Sequence, residues 1–169
     1  MKCLLTLAIM IVAELHTASA AVRSDPVLVR RVFDGDTIDA VGVGRVRLLG
    51  IDAPEVGHGF DNDAPFGREA RDRLASLVLG RWVRLEREGN GTTLDAYKRH
   101  LAYVIREDGL FVNAALVRDG LARVSARVPL SRLGELRRAE SEARALRRGL
   151  WGQTPRRPSP SYTRRRSKS

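Results

Sequence analysis

Residues 31–55, RVFDGDTIDAVGVGRVRLLGIDAPE, contain two short acidic turns set in apolar sequence. One is Asp34-Gly35-Asp36-Thr37 and the other is Asp52-Ala53-Pro54-Glu55; the apolar sequence between them breaks at Val41-Gly42-Val43-Gly44. Val27 to Phe33, ahead of the first turn, reads as a strand. So does Arg45 to Ile51, ahead of the second, where Val46 and Leu48 alternate with Arg45 and Arg47 at the period of a half-buried strand. Both acidic turns are therefore strand-end loops. If the two runs pair as antiparallel neighbours, Asp36 and Asp52 meet at one rim of a sheet although 16 positions separate them. Carboxylates gathered there suit a hard cation, and Arg47 adds a fixed positive charge beside them.

Downstream of this stretch, Val56 to Pro65 is a loop with His58, Asp61 and Asp63, residue types that surface loops ordinarily carry. Gly67 to Leu79 then places Ala70, Leu74, Leu77 and Val78 at helical spacing and stops at Gly80. Arg81 to Arg87 alternates Trp82, Arg84 and Glu86 with Val83 and Leu85 and forms a fourth strand; Leu101 to Ile105, with Arg99 just ahead of it, forms a fifth. Asn90-Gly91-Thr92 matches a glycosylation sequon but reads more simply as turn chemistry. Asn113 is placed to cap a short helix, Ala114 to Asp119, and Ser131 a longer one, Arg132 to Arg148, whose buried stripe is Leu133, Leu136, Ala139, Ala143 and Leu146.

At 169 residues the chain is expected to hold one domain, over residues 21–152, with an appendage at each end. Residues 1–20 read as a secretory signal: Lys2, an apolar centre from Cys3 to Ala13, and the small-residue site Ala18-Ser19-Ala20. A secreted or periplasmic protein is expected. Its apolar centre is shorter than the roughly 20 residues that span a bilayer. Residues 153–169 turn to Pro, Ser and Arg and read as a disordered basic tail, with Arg156, Arg157, Arg164, Arg165, Arg166 and Lys168 and no acid. The net charge of +10 points to a polyanionic partner, with nucleic acid ahead of an acidic membrane surface. Cys3, the only cysteine, lies in the leader, so a mature chain forms no disulfide and no cysteine-ligated zinc site; His16, His58 and His100 are too scattered for a histidine cluster.

Five short strands, a helix after the third and two helices at the end make an α+β fold, an OB-like five-stranded antiparallel β-barrel with three helices. With that order, four separated blocks stand out: Asp34-Gly35-Asp36-Thr37, Arg47-Leu48-Leu49-Gly50-Ile51-Asp52-Ala53-Pro54-Glu55, Asp95-Ala96-Tyr97-Lys98-Arg99 and Val112-Asn113-Ala114-Ala115-Leu116-Val117. From about Val27 to Trp151 the chain resembles the staphylococcal nuclease (thermonuclease) family.

The resemblance implies calcium-dependent hydrolysis of phosphodiester bonds in DNA and RNA, single strands preferred, leaving 3′-phosphate products, by a protein expected to be a monomer. It implies that Asp36 and Asp52 are side-chain ligands of Ca2+ and that the carbonyl of Ala53, where the family often has threonine, is a third oxygen. It implies that Glu55 is the general base, that Arg47 and Arg99 grip the phosphate, and that Tyr97 lies near it. One departure is Leu121-Ala122-Arg123-Val124-Ser125-Ala126-Arg127-Val128, which lacks tyrosines found there in the best-known member. A base-stacking platform is thereby missing, and Arg123, Arg127 or the basic tail would supply attraction electrostatically. The alternatives are a noncatalytic OB-type nucleic-acid-binding module, whose rim acids and arginines are salt bridges only, and a polybasic surface-adhesion protein.

Overall fold

A computed structural model describes residues 22–57, 64–89 and 94–152. The signal segment, the basic tail, His58, Asp61, Asp63 and the sequon at residues 90–92 lie outside the described residues.

The chain opens with β1 (Val22–Arg23), β2 (Val27–Asp34), β3 (Thr37–Ala40), β4 (Gly44–Leu48) and β5 (Ile51–Asp52), followed by α1 (Gly67–Val78) and β6 (Trp82–Arg87). Then come β7 (His100–Arg106), α2 (Val112–Arg118), β8 (Arg123–Val124), α3 (Leu133–Ala145) and a 3-10 turn, Gly149–Trp151. β2 pairs with β3 and β3 with β4, both antiparallel. The two runs flanking the acidic turns are thus not neighbours, because the short strand β3 lies between them. The run from Arg45 to Ile51 is also split: Gly50 takes a left-handed φ of 79°, which turns the chain before β5.

Five strands close into a ring through β4–β7, β7–β6 and β6–β2. The expected all-antiparallel barrel is corrected at one seam. β4 and β7 run parallel, with Val46 opposite His100 and Arg47 opposite Leu101. Their connection passes through α1 and β6, and a crossover of that length is what lets two strands lie side by side in the same direction. β1 extends the outer edge of β6, while β5 and β8 form a separate two-stranded ladder with Asp52 opposite Arg123.

The barrel is filled by Val29, Ile38, Val46, Leu48, Val83, Leu85, Ala102 and Val104, all buried. α1 buries Ala70, Leu74, Leu77 and Val78; α2 buries Val112, Leu116 and Val117; α3 buries Leu136, Ala139 and Ala143. The stripe expected on α3 holds at its centre, but Leu146 at its end is exposed and the helix stops at Ala145, not Arg148.

Two expected caps are corrected. α2 starts at Val112, and Asn113 sits inside it, fully buried. Its Oδ1 accepts from the Val104 N–H at 3.0 Å and its Nδ2 donates to the Leu49 carbonyl at 2.9 Å, so it staples α2 to the barrel. Ser131 lies one residue ahead of the cap position of α3, and its hydroxyl donates to Glu88 at 2.9 Å. Glu86, which alternates along β6 with Val83 and Leu85 on the same face as Trp82 and Arg84, is nevertheless 1% exposed. Arg23 and Arg132 both pair with it, the arms of β1 and of the approach to α3 covering that face.

Candidate active site

The short loop between β2 and β3 turns Asp36 inward, so that its side chain is only 4% exposed. The carboxylate is held from three sides. Its Oδ1 accepts from the Thr37 hydroxyl at 3.0 Å and pairs with Arg47 Nη1, while its Oδ2 accepts from the Ala53 backbone N–H at 3.0 Å. Burial pushes the Asp36 carboxyl up to about 6, with the positive charge of Arg47 and the Ala53 hydrogen bond pulling the other way. Arg47 reaches across to Asp52 as well, its Nη2 standing 2.6 Å from Oδ1 of that carboxylate. The antiparallel register that sets Thr37 opposite Arg47 brings the first acidic turn to this arginine, and the turn at Gly50 brings back the second.

Thr37 carries the set one step further, because Nη1 of Arg99 donates to its hydroxyl at 3.4 Å. Arg99 is positioned by Asp95, whose Oδ2 accepts from its Nε at 2.7 Å and whose Oδ1 accepts from its backbone N–H at 3.0 Å. Burial pushes the Asp95 carboxyl up, but the hydrogen bonds from Arg99 and from the Tyr97 N–H outweigh it and hold it below the usual carboxylate range. Tyr97 is 79% exposed, with the Arg99 guanidinium 5.2 Å from its ring centre.

Asp36, Asp52, Ala53, Arg47 and, through Thr37, Arg99 therefore form one connected set, to which Tyr97 is joined through Arg99. Glu55 enters by sequence, three residues past Asp52; its side chain is exposed and its carbonyl accepts from Ala64 at 3.0 Å. Sequence reasoning gave no role to Thr37 or Asp95. An aspartate four residues ahead of an arginine, opening a tight turn, is the signal that could have found the second. Arg123 was read only as a source of general attraction, and its place opposite Asp52 follows from a long-range pairing that no local pattern reveals.

Among the described residues no three His, Cys, Asp or Glu side chains converge as a metal cluster. What converges is two carboxylates, Asp36 and Asp52, both joined to Arg47, while the backbone N–H of Ala53 donates to Asp36. An oxygen-only set of this kind suits a hard divalent cation that completes its shell with water, and one of its carboxylates is buried with its charge only partly offset. The residues fit such an ion.

A closed five-stranded barrel with acids and guanidiniums gathered at its rim defines an OB-like protein with a charged site at one end of the barrel. The family model described as staphylococcal nuclease homologue matches residues 45–153. A thermonuclease of Staphylococcus intermedius is 36% identical over 138 residues, covering 79% of this chain and 80% of that protein. An uncharacterized endonuclease of Escherichia coli O157:H7 is 36% identical over 124 residues, covering 72% and 73%. Endonuclease YhcR of Bacillus subtilis is 32% identical over 138 residues, 75% of this chain but 11% of that longer protein. The chain belongs to the staphylococcal nuclease family, and it is a nucleic-acid-binding enzyme of nuclease type. Among the described residues no helix is long and apolar enough to cross a membrane.

Proposed function

We propose that this protein is a secreted or periplasmic, calcium-dependent nuclease that acts as a monomer on single-stranded DNA and RNA and leaves 3′-phosphate ends. The observation that carries the reading is the bridge made by Arg47 between the Asp36 and Asp52 carboxylates, with Arg99 linked to the same buried acid through Thr37. Asp36, Asp52 and the Ala53 carbonyl would hold the ion, and a bound Ca2+ supplies Lewis-acid polarisation of a phosphoryl oxygen.

The arginines do the rest of the electrostatic work. Each guanidinium is planar, permanently charged and able to bond two phosphate oxygens, so the pair stabilises the negative charge that builds as phosphorus gains a fifth oxygen. Asp95 keeps Arg99 in place for this. Glu55, exposed to solvent and three residues past Asp52 in the chain, takes a proton from a water molecule as its oxygen bonds to phosphorus. The bond from phosphorus to the 5′-oxygen breaks; the 5′-hydroxyl acquires its proton from solvent and the phosphate stays on the 3′ side. Tyr97, exposed and stacked against Arg99, borders the phosphate.

The test uses the purified mature protein with end-labelled single strands in calcium, magnesium or chelator, with product ends analysed. Cleavage that needs calcium and yields 3′-phosphates is expected, and Glu55→Gln should cut at least about a hundredfold more slowly, the lower range for a lost general base. A folded Glu55→Gln protein digesting at the wild-type rate sinks the role given to Glu55. Binding without any product in calcium sinks the hydrolase reading and leaves a noncatalytic module. Mass analysis of the protein recovered outside the cytoplasm should give an amino terminus at Ala21.

A further inference from the structure

Two cavities meet at Asp52. One, of about 410 Å³, has Arg47, Asp95 and Arg127 on its wall. The other, of about 370 Å³, is lined by Ala53, Pro54, Pro65, Phe66, Arg123 and Leu150, and it too includes Asp52. A polymer whose reacting phosphate lies at Asp52 has flanking residues on both sides. The first cavity can receive one of them; the second has been given no occupant.

We propose that the cavity between Phe66 and Arg123 is a second nucleotide subsite, which stacks a base of a single strand on Phe66 and holds that nucleotide's phosphate on Arg123. The proposal rests on the nuclease reading of the Asp52 site and extends it to the strand on the far side of the cut. Three observations converge on it.

The cavity is the right size and make-up for a base: a few hundred Å³, walled by apolar side chains, with one charged group at each of two points. Arg123 lies opposite Asp52 in the β5–β8 ladder, is exposed, and pairs with no carboxylate among the described residues. Its guanidinium stands 5.2 Å from the Trp151 ring centre, and Arg144 stacks on the same ring at 4.0 Å, so this cation is braced by a ring and its charge is left open. Phe66 takes a left-handed φ of 69° ahead of α1. That conformation is strained for an aromatic residue and is adopted most easily by glycine, and strain of this kind concentrates at ligand sites. An aromatic platform thus lies on this side of Asp52, while Ser125 to Val128, which line the other cavity, offer none.

The test measures the affinity of oligothymidylates of two and of six residues by fluorescence anisotropy in chelator, and kcat/KM for both in calcium. The variants are Arg123→Gln, a surface change, and Phe66→Leu with Phe66→Tyr as the conservative rescue, each checked by circular dichroism. Arg123→Gln and Phe66→Leu should each lower the hexamer-to-dimer ratio at least about fivefold, the lower end for losing one stacked or charge-paired nucleotide, while Phe66→Tyr preserves it. An unchanged ratio in Arg123→Gln and Phe66→Leu overturns the subsite. If the wild type cuts neither strand yet the affinity ratio falls in the variants, the subsite stands and the nuclease reading fails.

Discussion

Replacing Gly67 with alanine should slow the enzyme while leaving it folded. A Cβ built on Gly67 would lie 2.4 Å from the Glu55 carbonyl oxygen and 2.9 Å from its carbon, where real Cβ atoms do not come under 3.0 Å. One partner must give by about 0.6 Å to reach that floor and by about 1 Å to reach the ordinary contact range that starts at 3.4 Å. The helix cannot yield easily, since Ala70, Leu74, Leu77 and Val78 are locked into the core. The exposed loop carrying Glu55 moves instead. A displacement of that size at a catalytic group costs up to about a hundredfold in rate, so kcat should fall about ten- to a hundredfold with a smaller change in KM. Alanine is favoured over glycine in a helix by up to about 1 kcal/mol, which offsets part of the strain and keeps the melting temperature near that of the wild type.

The assay pairs steady-state cleavage of single-stranded DNA with thermal unfolding, and Gly42→Ala serves as the contrast. Gly42 has a φ of 77° with nothing within 4 Å of its Cβ position, so alanine there should lower stability by about 1–2 kcal/mol through backbone strain and leave kcat alone. Wild-type kcat in a folded Gly67→Ala protein would refute the link between this contact and Glu55.

Arg47→Ala should lower kcat/KM about a hundred- to a thousandfold, and Arg47→Lys should recover only part of it because an ammonium lacks the two-pronged fork; single-turnover cleavage decides. Asn113→Ala leaves the Val104 N–H and the Leu49 carbonyl buried without partners and should cost about 2–4 kcal/mol in urea unfolding, with an unchanged midpoint counting against the staple. Glu88 accepts from the Tyr103 hydroxyl and from the Ser131 N–H and hydroxyl; burial pushes its carboxyl up, but these bonds outweigh burial and leave it below 4.5. Its stabilisation is therefore present above 4.5 and lost as pH falls through the lowered value, so Glu88→Gln should melt below the wild type at neutral pH and the gap should close in acid. A gap that persists at low pH would show that the carboxylate charge is not what these donors require.

Local pattern determined a good deal of this protein. Alternation at Val46 and Leu48 located β4, and helical spacing at Ala70, Leu74, Leu77 and Val78 located α1 within a residue at its end, because those periods follow from which face each side chain must bury. Asp36, Asp52, Ala53, Arg47, Arg99 and Tyr97 were given roles from the sequence through motifs whose types and order are linear facts, whereas Thr37 and Asp95 were not. Long-range pairing lay beyond it. That β4 and β7 run parallel, that Arg123 stands opposite Asp52, and that Thr37 joins Arg99 to Asp36 all depend on registers between segments far apart in the chain. The misplaced caps have the same origin: a buried Asn113 satisfies Val104 and Leu49 across the core, and Ser131 donates to Glu88 on a distant segment; the buried Glu86 likewise meets Arg23 and Arg132 from two other elements. A polar side chain read in isolation is assigned to its nearest backbone, whereas closure of the barrel fixes which distant groups reach it and whether water remains to compete.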